Sequence, residues 1–360
     1  MSRSMEQGVV NAQLEPDRAA AAGDAWASAT VSRGTRASRV AAVVMLLLIV
    51  VAASMPWWAE RAQMRLATEF LYVLALAQLW NLLAGYGGML SVGQQAFVGV
   101  GAYSLVVIGL FGGVNPFVVV PLAGLVGAAA ALLVGPLVFR LSGAQFAVGT
   151  WVVAEVFRIV VANLPFVSGG SGLSVARVVS GIDIEQRDAL TLWTALALGA
   201  GATLAVYALL RSRWGLALVA VRDSERAAQS LGVDGRRVKW LVWLGSAAGG
   251  AMVGALIFVT KLRVSPDAAF SIDWSTTALF IVVIGGIGTL EGPLVGAAVY
   301  FLLREWLSDL GSIYLILLGT LTMAVVLVAP GGLWGLITRR APVQLFPVSR
   351  RVERADGGAP

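Results

Sequence analysis

The chain has no cysteine and no histidine among its 360 residues. That removes disulfides, thiolate nucleophiles, Cys/His zinc sites, Ser-His triads and histidine proton relays together. Lysine is nearly absent: only Lys239 and Lys261 occur, and neither follows a glycine. A P-loop of the form GxxxxGK[ST] is therefore impossible, so the chain cannot bind and hydrolyse ATP by that route. Charge is scarce as well. Charged residues make up 13% of the sequence, against about 25% in a soluble domain, too few to coat a water-soluble globule. The net charge of +6 is scattered between apolar runs, which suits the inward-facing loops of a membrane protein rather than a nucleic-acid-binding surface.

What remains is apolar and rich in glycine, 58% hydrophobic residues with 42 Gly. The fold class this implies is all-α, a polytopic integral membrane helix bundle. From Phe70 to Phe139 there is no Asp, Glu, Lys or Arg, a length far beyond the roughly 20 residues of one crossing. The breaks must come from Gly, Pro and Asn instead, at Gly85–Gly88 and Gly112–Pro116. Spans are predicted near 40–55, 67–86, 94–112, 116–139, 143–163, 190–210, 238–260, 274–290, 293–305 and 311–329. That is about ten, within a range of about eight to eleven. Residues 1–39 read as a disordered cytoplasmic tail, 40–338 as the transmembrane domain and 339–360 as a second cytoplasmic tail. A cleaved signal peptide competes at Ala53-Ser54-Met55, but its N-terminal region would be too long, and Pro56-Trp57-Trp58 reads as an interfacial belt. With the N-terminus inside and an even number of spans, most of the Arg residues near span ends, Arg211 to Arg237 among them, fall inside.

Two polar features stand out. Glu155 and Arg158, three apart on one helix face, can neutralise each other as a buried ion pair, either a structural pair or a polar element of a translocation path. The loop 211–237 holds Gly215, Arg222, Asp223, Glu225, Arg226, Ala227, Ala228 and Gly232. Asp223 is placed to cap a short helix that Gly232 ends. Ala227 and Ala228 would lie on its surface within a charged rim. This reads either as a docking surface or as a solvated helix joining two spans.

The segment Asn81-Leu-Leu-Ala-Gly85-Tyr-Gly-Gly88-Met-Leu-Ser91-Val-Gly93-Gln94-Gln-Ala-Phe97-Val-Gly99-Val-Gly101-Ala-Tyr103 must sit at the bundle centre or line a cavity, because backbone freed at membrane depth needs protein or water around it. Gly285-Gly286-Ile-Gly288-Thr289 forms a second such place, and a translocation path is expected along both. A path lining also predicts that Leu at Gly93 or Gly99 would block passage while sparing assembly. The pairs Gly245/Gly249, Gly250/Gly254 and Gly292/Gly296 read as packing faces.

Four blocks in register over about 65–338 resemble the membrane subunits of branched-chain amino acid ABC importers: Gly85–Tyr103, Gly215–Gly232, Val264–Phe270 with Ile284–Pro293, and Tyr314 through Ala329-Pro-Gly-Gly-Leu-Trp-Gly335. The chain looks like the longer, M-type permease of the pair. The resemblance implies a pore subunit with no bound cofactor, with ATP and Mg held by partner subunits. The partners it implies are a second homologous permease, two ABC ATPases, an extracytoplasmic binding protein and the lipid of a bacterial inner membrane. Ala227-Ala228-xxx-Gly232 is similar to the coupling motif of importers, but Arg226 stands where that motif has Glu, with Glu225 one position earlier. Gln94 stands where the family often has His. Cargo such as urea, amides or other small organic solutes suits the same lining. An ATPase-independent channel or secondary carrier explains the spans but not the loop. An integral-membrane enzyme would show clustered acids or His at a membrane face.

Overall fold

A computed structural model of the chain describes residues 30–32, 36–307, 313–329, 331–340, 345–346 and 351–353. Two units separate. One comprises Met1–Ala42 with Gln344–Pro360, the other Val43–Val343. In the first, β1 (Thr30–Ser32) pairs antiparallel with β4 (Arg351–Glu353), Thr30 opposite Glu353. The first helix, α1 (Arg36–Ser54), begins inside the expected tail. Most of the expected N-terminal tail, 1–29, lies outside the described residues.

The second unit is a helical bundle. Its long helices are α2 (Arg61–Asn81), α4 (Pro116–Val138), α5 (Ala144–Ala162), α6 (Ile184–Arg211) and α9 (Gly235–Lys261). The shorter ones are α3 (Gln95–Ser104), α7 (Arg213–Asp223), α8 (Glu225–Ser230), α10 (Pro266–Ala269), α11 (Asp273–Gly285), α12 (Gly292–Leu307), α13 (Ile313–Val328) and α14 (Gly332–Arg340). Among the described residues, 8 helical segments are long and apolar enough to cross a membrane. The expected spans at 94–112 and 293–305 are helical but short, Gln95–Phe111 and the 16 residues of α12.

The sequence explains which helices sit inside. α2 and α9 bury most of their length, and their small residues let neighbours approach by backbone. A Cβ on Gly101 would overlap the Ala251 carbonyl, and one on Gly254 the Val98 carbonyl. α3 and α9 therefore cross in backbone contact. Gly296 packs the same way on the Ile281 carbonyl, joining α12 to α11. Gly245 meets nothing within 4 Å, so that half of its pair is not a packing contact. At one end of the bundle, β2 (Leu173–Ser174) pairs with β3 (Arg263–Val264). The opposite end carries α7, α8 and most of the arginines.

Two helices change pitch where glycine weakens the ladder. α2 continues as a wider π turn over Leu82–Tyr86, closed by Gly87 N–H donating to the Leu82 carbonyl at 3.0 Å. α3 continues as π helix over Leu105–Phe111. Such turns leave carbonyls to be satisfied from elsewhere.

Candidate functional site

Side chains at the end of α2 capture the backbone of a distant reversal between α11 and α12. Asn81 makes two bonds with one reversal: its Oδ1 accepts from Gly288 N–H at 2.8 Å, and its Nδ2 donates to the Thr289 carbonyl at 2.8 Å. One turn earlier, Gln78 Nε2 donates to the Leu290 carbonyl at 3.0 Å. Within the reversal, Thr289 Oγ1 donates to the Gly286 carbonyl at 2.8 Å and accepts from Gly292 N–H at 3.0 Å. Gly286 and Gly288 have φ of 135° and 74°, a backbone that residues with a Cβ rarely adopt. Gly332 backs the loop so closely that a Cβ there would meet Gly286 Cα. The two glycine-rich segments are thus one structure.

Arg222, the penultimate residue of α7, joins it. Its Nη1 donates to the Gly85 carbonyl at 3.0 Å, while its Nε donates to Asp223 Oδ1 at 2.9 Å. Its aliphatic stem lies over Gly88, where a Cβ would come within 3.1 Å of Arg222 Cγ. A guanidinium at the carbonyl end of a helix also suits the helix dipole. The loop 211–237 is therefore fastened directly to the broken end of α2.

The loop itself is well specified. Ser212 caps α7, its Oγ accepting from Trp214 N–H at 3.1 Å, and Gly215 is pressed against Leu210. The cap of α8 is Ser224, not Asp223: Ser224 Oγ accepts from Ala227 N–H at 3.4 Å, while Asp223 ends α7 and pairs with Arg222. The serine lies one residue nearer the helix and takes the capping role. Gly232, at φ 81°, closes α8, with Gly232 N–H on the Gln229 carbonyl at 2.9 Å and Val233 N–H on the Ala228 carbonyl at 3.0 Å. Glu225 Oε2 accepts from Lys239 Nζ at 2.7 Å, tying α8 to α9. Only one of the two expected surface alanines is on the surface. Ala227 is exposed, but Ala228 is 2% exposed because the loop folds back over it. Arg226 is exposed.

The first glycine-rich segment then turns into the bundle. Ser91, Gln94 and Phe97 are all buried. Trp80 Nε1 donates to the Ser91 carbonyl at 2.7 Å, and Thr150 Oγ1 accepts from Val92 N–H at 3.1 Å. Gln94 Nε2 donates to Ser246 Oγ, which donates to the Leu79 carbonyl at 3.2 Å. Ser275 Oγ accepts from Gln95 N–H at 3.1 Å and donates to Gln95 Oε1. Phe97 packs edge-on against Trp243 with centroids 5.3 Å apart. A Cβ on Gly93 would overlap the Thr150 carbonyl, one on Gly99 the Phe270 ring, and one on Gly85 Gly288. These residues sit at a packed bundle centre. Their small size is used for contact, so Leu at Gly93 or Gly99 would unseat neighbouring helices before it blocked any path. Gly88 differs: with Met89, Leu90, Arg140, Arg222 and Glu225 it lines a cavity of about 580 Å³ at the arginine-rich end.

Glu155 and Arg158 do pair. Arg158 Nη2 lies 2.5 Å and Nε 3.0 Å from Glu155 Oε1, with Arg158 Nη1 2.6 Å from Asp267 Oδ1 on α10. The pair is not buried: in the single chain the side chains of Arg158 and Glu155 are 32% and 44% exposed. No group of three or more acids, Cys or His that could hold a metal occurs among the described residues.

The signals missed in the sequence are Gln78, Ser246, Ser275 and Asp267. Each is a polar residue inside or beside an apolar run, and that isolation is the mark that could have found them.

Comparison with known proteins gives a consistent result. The model of a family described as "Branched-chain amino acid transport system / permease component" matches residues 62–329. The high-affinity branched-chain amino acid transport system permease protein LivM of Salmonella typhimurium is 29% identical over 303 residues, covering 77% of this chain and 71% of that protein. Its namesake in Escherichia coli is 28% identical over the same length and shares. A probable branched-chain amino acid transport permease protein LivM of Methanocaldococcus jannaschii is 24% identical over 146 residues, 41% of this chain and 42% of that protein. No solved structure matches.

Proposed function

Because the chain belongs to the family of branched-chain amino acid transport system permease components, we propose that it is the membrane permease subunit of an ATP-binding cassette importer for branched-chain amino acids. It performs no covalent chemistry. It forms half of a two-permease pore in a bacterial inner membrane, with a second homologous permease beside it. Two ATPase subunits, which hold the ATP and Mg, dock on α8, and an extracytoplasmic binding protein delivers the solute to the opposite end. Both termini are cytoplasmic. The pairing of β1 with β4 supports their lying on the same side, because segments that pair share one side of the membrane.

The observation that carries the reading is the fastening of Arg222 to Gly85. A motor that moves α8 moves α7, and α7 holds the broken end of α2 through a charged hydrogen bond. Asn81 and Gln78 pass that motion on to the reversal between α11 and α12. Alternating access needs a nucleotide that favours one of two such arrangements. The exposed methyl of Ala227 offers a partner a close approach, while Ala228 belongs to the fold. A neutral zwitterion with an apolar side chain suits a centre whose buried polar groups are amides and hydroxyls, with Glu291 the one buried carboxylate among the described residues.

Reconstitution tests this reading. Proteoliposomes holding the chain, its partner permease and the ATPases should take up leucine only with ATP and a loaded binding protein. Leucine uptake by the isolated chain without ATP would favour a channel or secondary carrier instead.

A further inference from the structure

The cluster of Glu155, Arg158 and Asp267 plays no part in the fastening just described. α5 is 19 residues long and apolar enough to cross the membrane. At 1.5 Å per residue, Glu155 lies about 10 Å inside the Ala162 end and Arg158 about 6 Å. Charged side chains at such depth face protein or water, not hydrocarbon. Yet in the single chain Glu155 is 44% and Arg158 32% exposed, on a face that also presents Val148, Trp151 and Ile159 to the outside. Asp267, the third member, is 81% exposed. Helical geometry puts Val148, Trp151, Glu155, Arg158 and Ile159 on one stripe. Lipid against that stripe would strand the charges, so the stripe faces protein or water inside the assembled transporter, and water is the alternative that leaves the charges open to a solute.

The charges also have the right form for the cargo. Two carboxylates face one guanidinium, and the pairs are arranged unequally. Glu155 engages Arg158 through both Nε and Nη2, whereas Asp267 holds it through Nη1 alone. A zwitterion can exchange with the weaker pair without leaving a charge alone: its carboxylate takes Nη1 of Arg158, and its ammonium takes Asp267. Next to Asp267's helix stands an aromatic pair, Phe270 stacked on Tyr103 at 6.0 Å. The Tyr103 hydroxyl is buried and has no hydrogen-bond partner among the described residues. Both rings are buried, at 8% and 4% exposure, so the aromatic pair backs the charged groups from inside the bundle.

We propose that Glu155, Arg158 and Asp267 form a station on the solute route, where an amino acid zwitterion exchanges with the Arg158–Asp267 ion pair. The proposal rests on the importer reading and names its solute site. The natural absence of cysteine makes the test direct. Ile159→Cys on the stripe and Leu133→Cys on the exposed face of α4 are placed singly in the complete importer in liposomes. Each is treated from outside with a charged, membrane-impermeant methanethiosulfonate. Ile159→Cys should react, Leu133→Cys should not, and leucine-loaded binding protein should slow the reaction. If Ile159→Cys is as inert as Leu133→Cys, the stripe does not face water and the proposal falls.

Asp267→Asn, which keeps a hydrogen-bonding group beside Arg158 Nη1 but removes the charge that would take the ammonium, separates a site from a brace. The proposal expects an assembled complex of unchanged melting temperature whose KM for leucine uptake rises at least about tenfold. Uptake at the wild-type KM would reduce the cluster to a structural pair. Labelling is read whether or not ATP is hydrolysed, so failure of the importer reading shows separately, as absence of ATP hydrolysis by the purified complex.

Discussion

Arg222 and Arg158 sit towards opposite ends of the bundle and do opposite things. Each bridges two helices through its guanidinium. Arg222 grips a backbone carbonyl, that of Gly85, in a corner built from glycines and amides. Arg158 grips two carboxylate side chains, one of them largely in the open. A backbone carbonyl moves only when its helix moves, so the first contact transmits displacement. A carboxylate side chain swings away on its own rotamers, so the second can be exchanged for a ligand without moving a helix. The same residue type thus serves as a strut at one end and as a replaceable partner at the other.

The contrast can be broken from the strut side. The largest effect is expected from Gly93→Leu, whose side chain would enter the Thr150 backbone. Overpacking of this kind costs about 3 kcal/mol, enough to remove most of the assembled complex, as size-exclusion chromatography of the detergent extract would show. Ala228→Trp should come next. It forces a large side chain into a site that is 2% exposed, so both the melting temperature and ATPase co-purification should fall. Ala227→Trp sharpens the comparison, because the exposed position should lose co-purification at an unchanged melting temperature. If the two alanine variants behave alike, the division between docking methyl and buried methyl is wrong. Gly232→Ala at φ 81° should cost about 1 kcal/mol through left-handed backbone strain, seen as a small drop in melting temperature. The smallest effect is expected from Ser246→Ala. It removes one buried hydroxyl from the Gln94 pair, worth about 1 kcal/mol, and should leave uptake near normal.

Much of this was legible in the sequence, for identifiable reasons. The spans were marked by uninterrupted apolar length, so 238–260 and 293–305 fall inside Gly235–Lys261 and Gly292–Leu307. Gly232 was readable as a helix stop because that role depends on one residue's own backbone. The cap was misassigned by one position because Asp223 and Ser224 are both good caps, and only the ion pair of Arg222 with Asp223 decides between them. The burial of Ala228 was not legible, since it depends on how the loop folds back. Arg222 was singled out, but as part of a docking rim. Its real partner lies 137 residues away, and no local pattern reports a contact of that range. Asp267 escaped for the same reason, being 109 residues from Arg158. The glycine-rich segments were expected at the bundle centre or along a path because freed backbone at membrane depth needs cover, and the structure uses most of those glycines at the centre, where one backbone touches another.

The account stands on the link from motor to broken helix, and Arg222→Ala tests it most directly. Liposomes holding the complete importer would be assayed for ATP hydrolysed and leucine accumulated in the same sample. The account predicts that hydrolysis and subunit association persist while leucine uptake per ATP falls at least about tenfold. Uptake per ATP equal to that of the unaltered importer would show that Arg222 carries no motion, and would contradict the account.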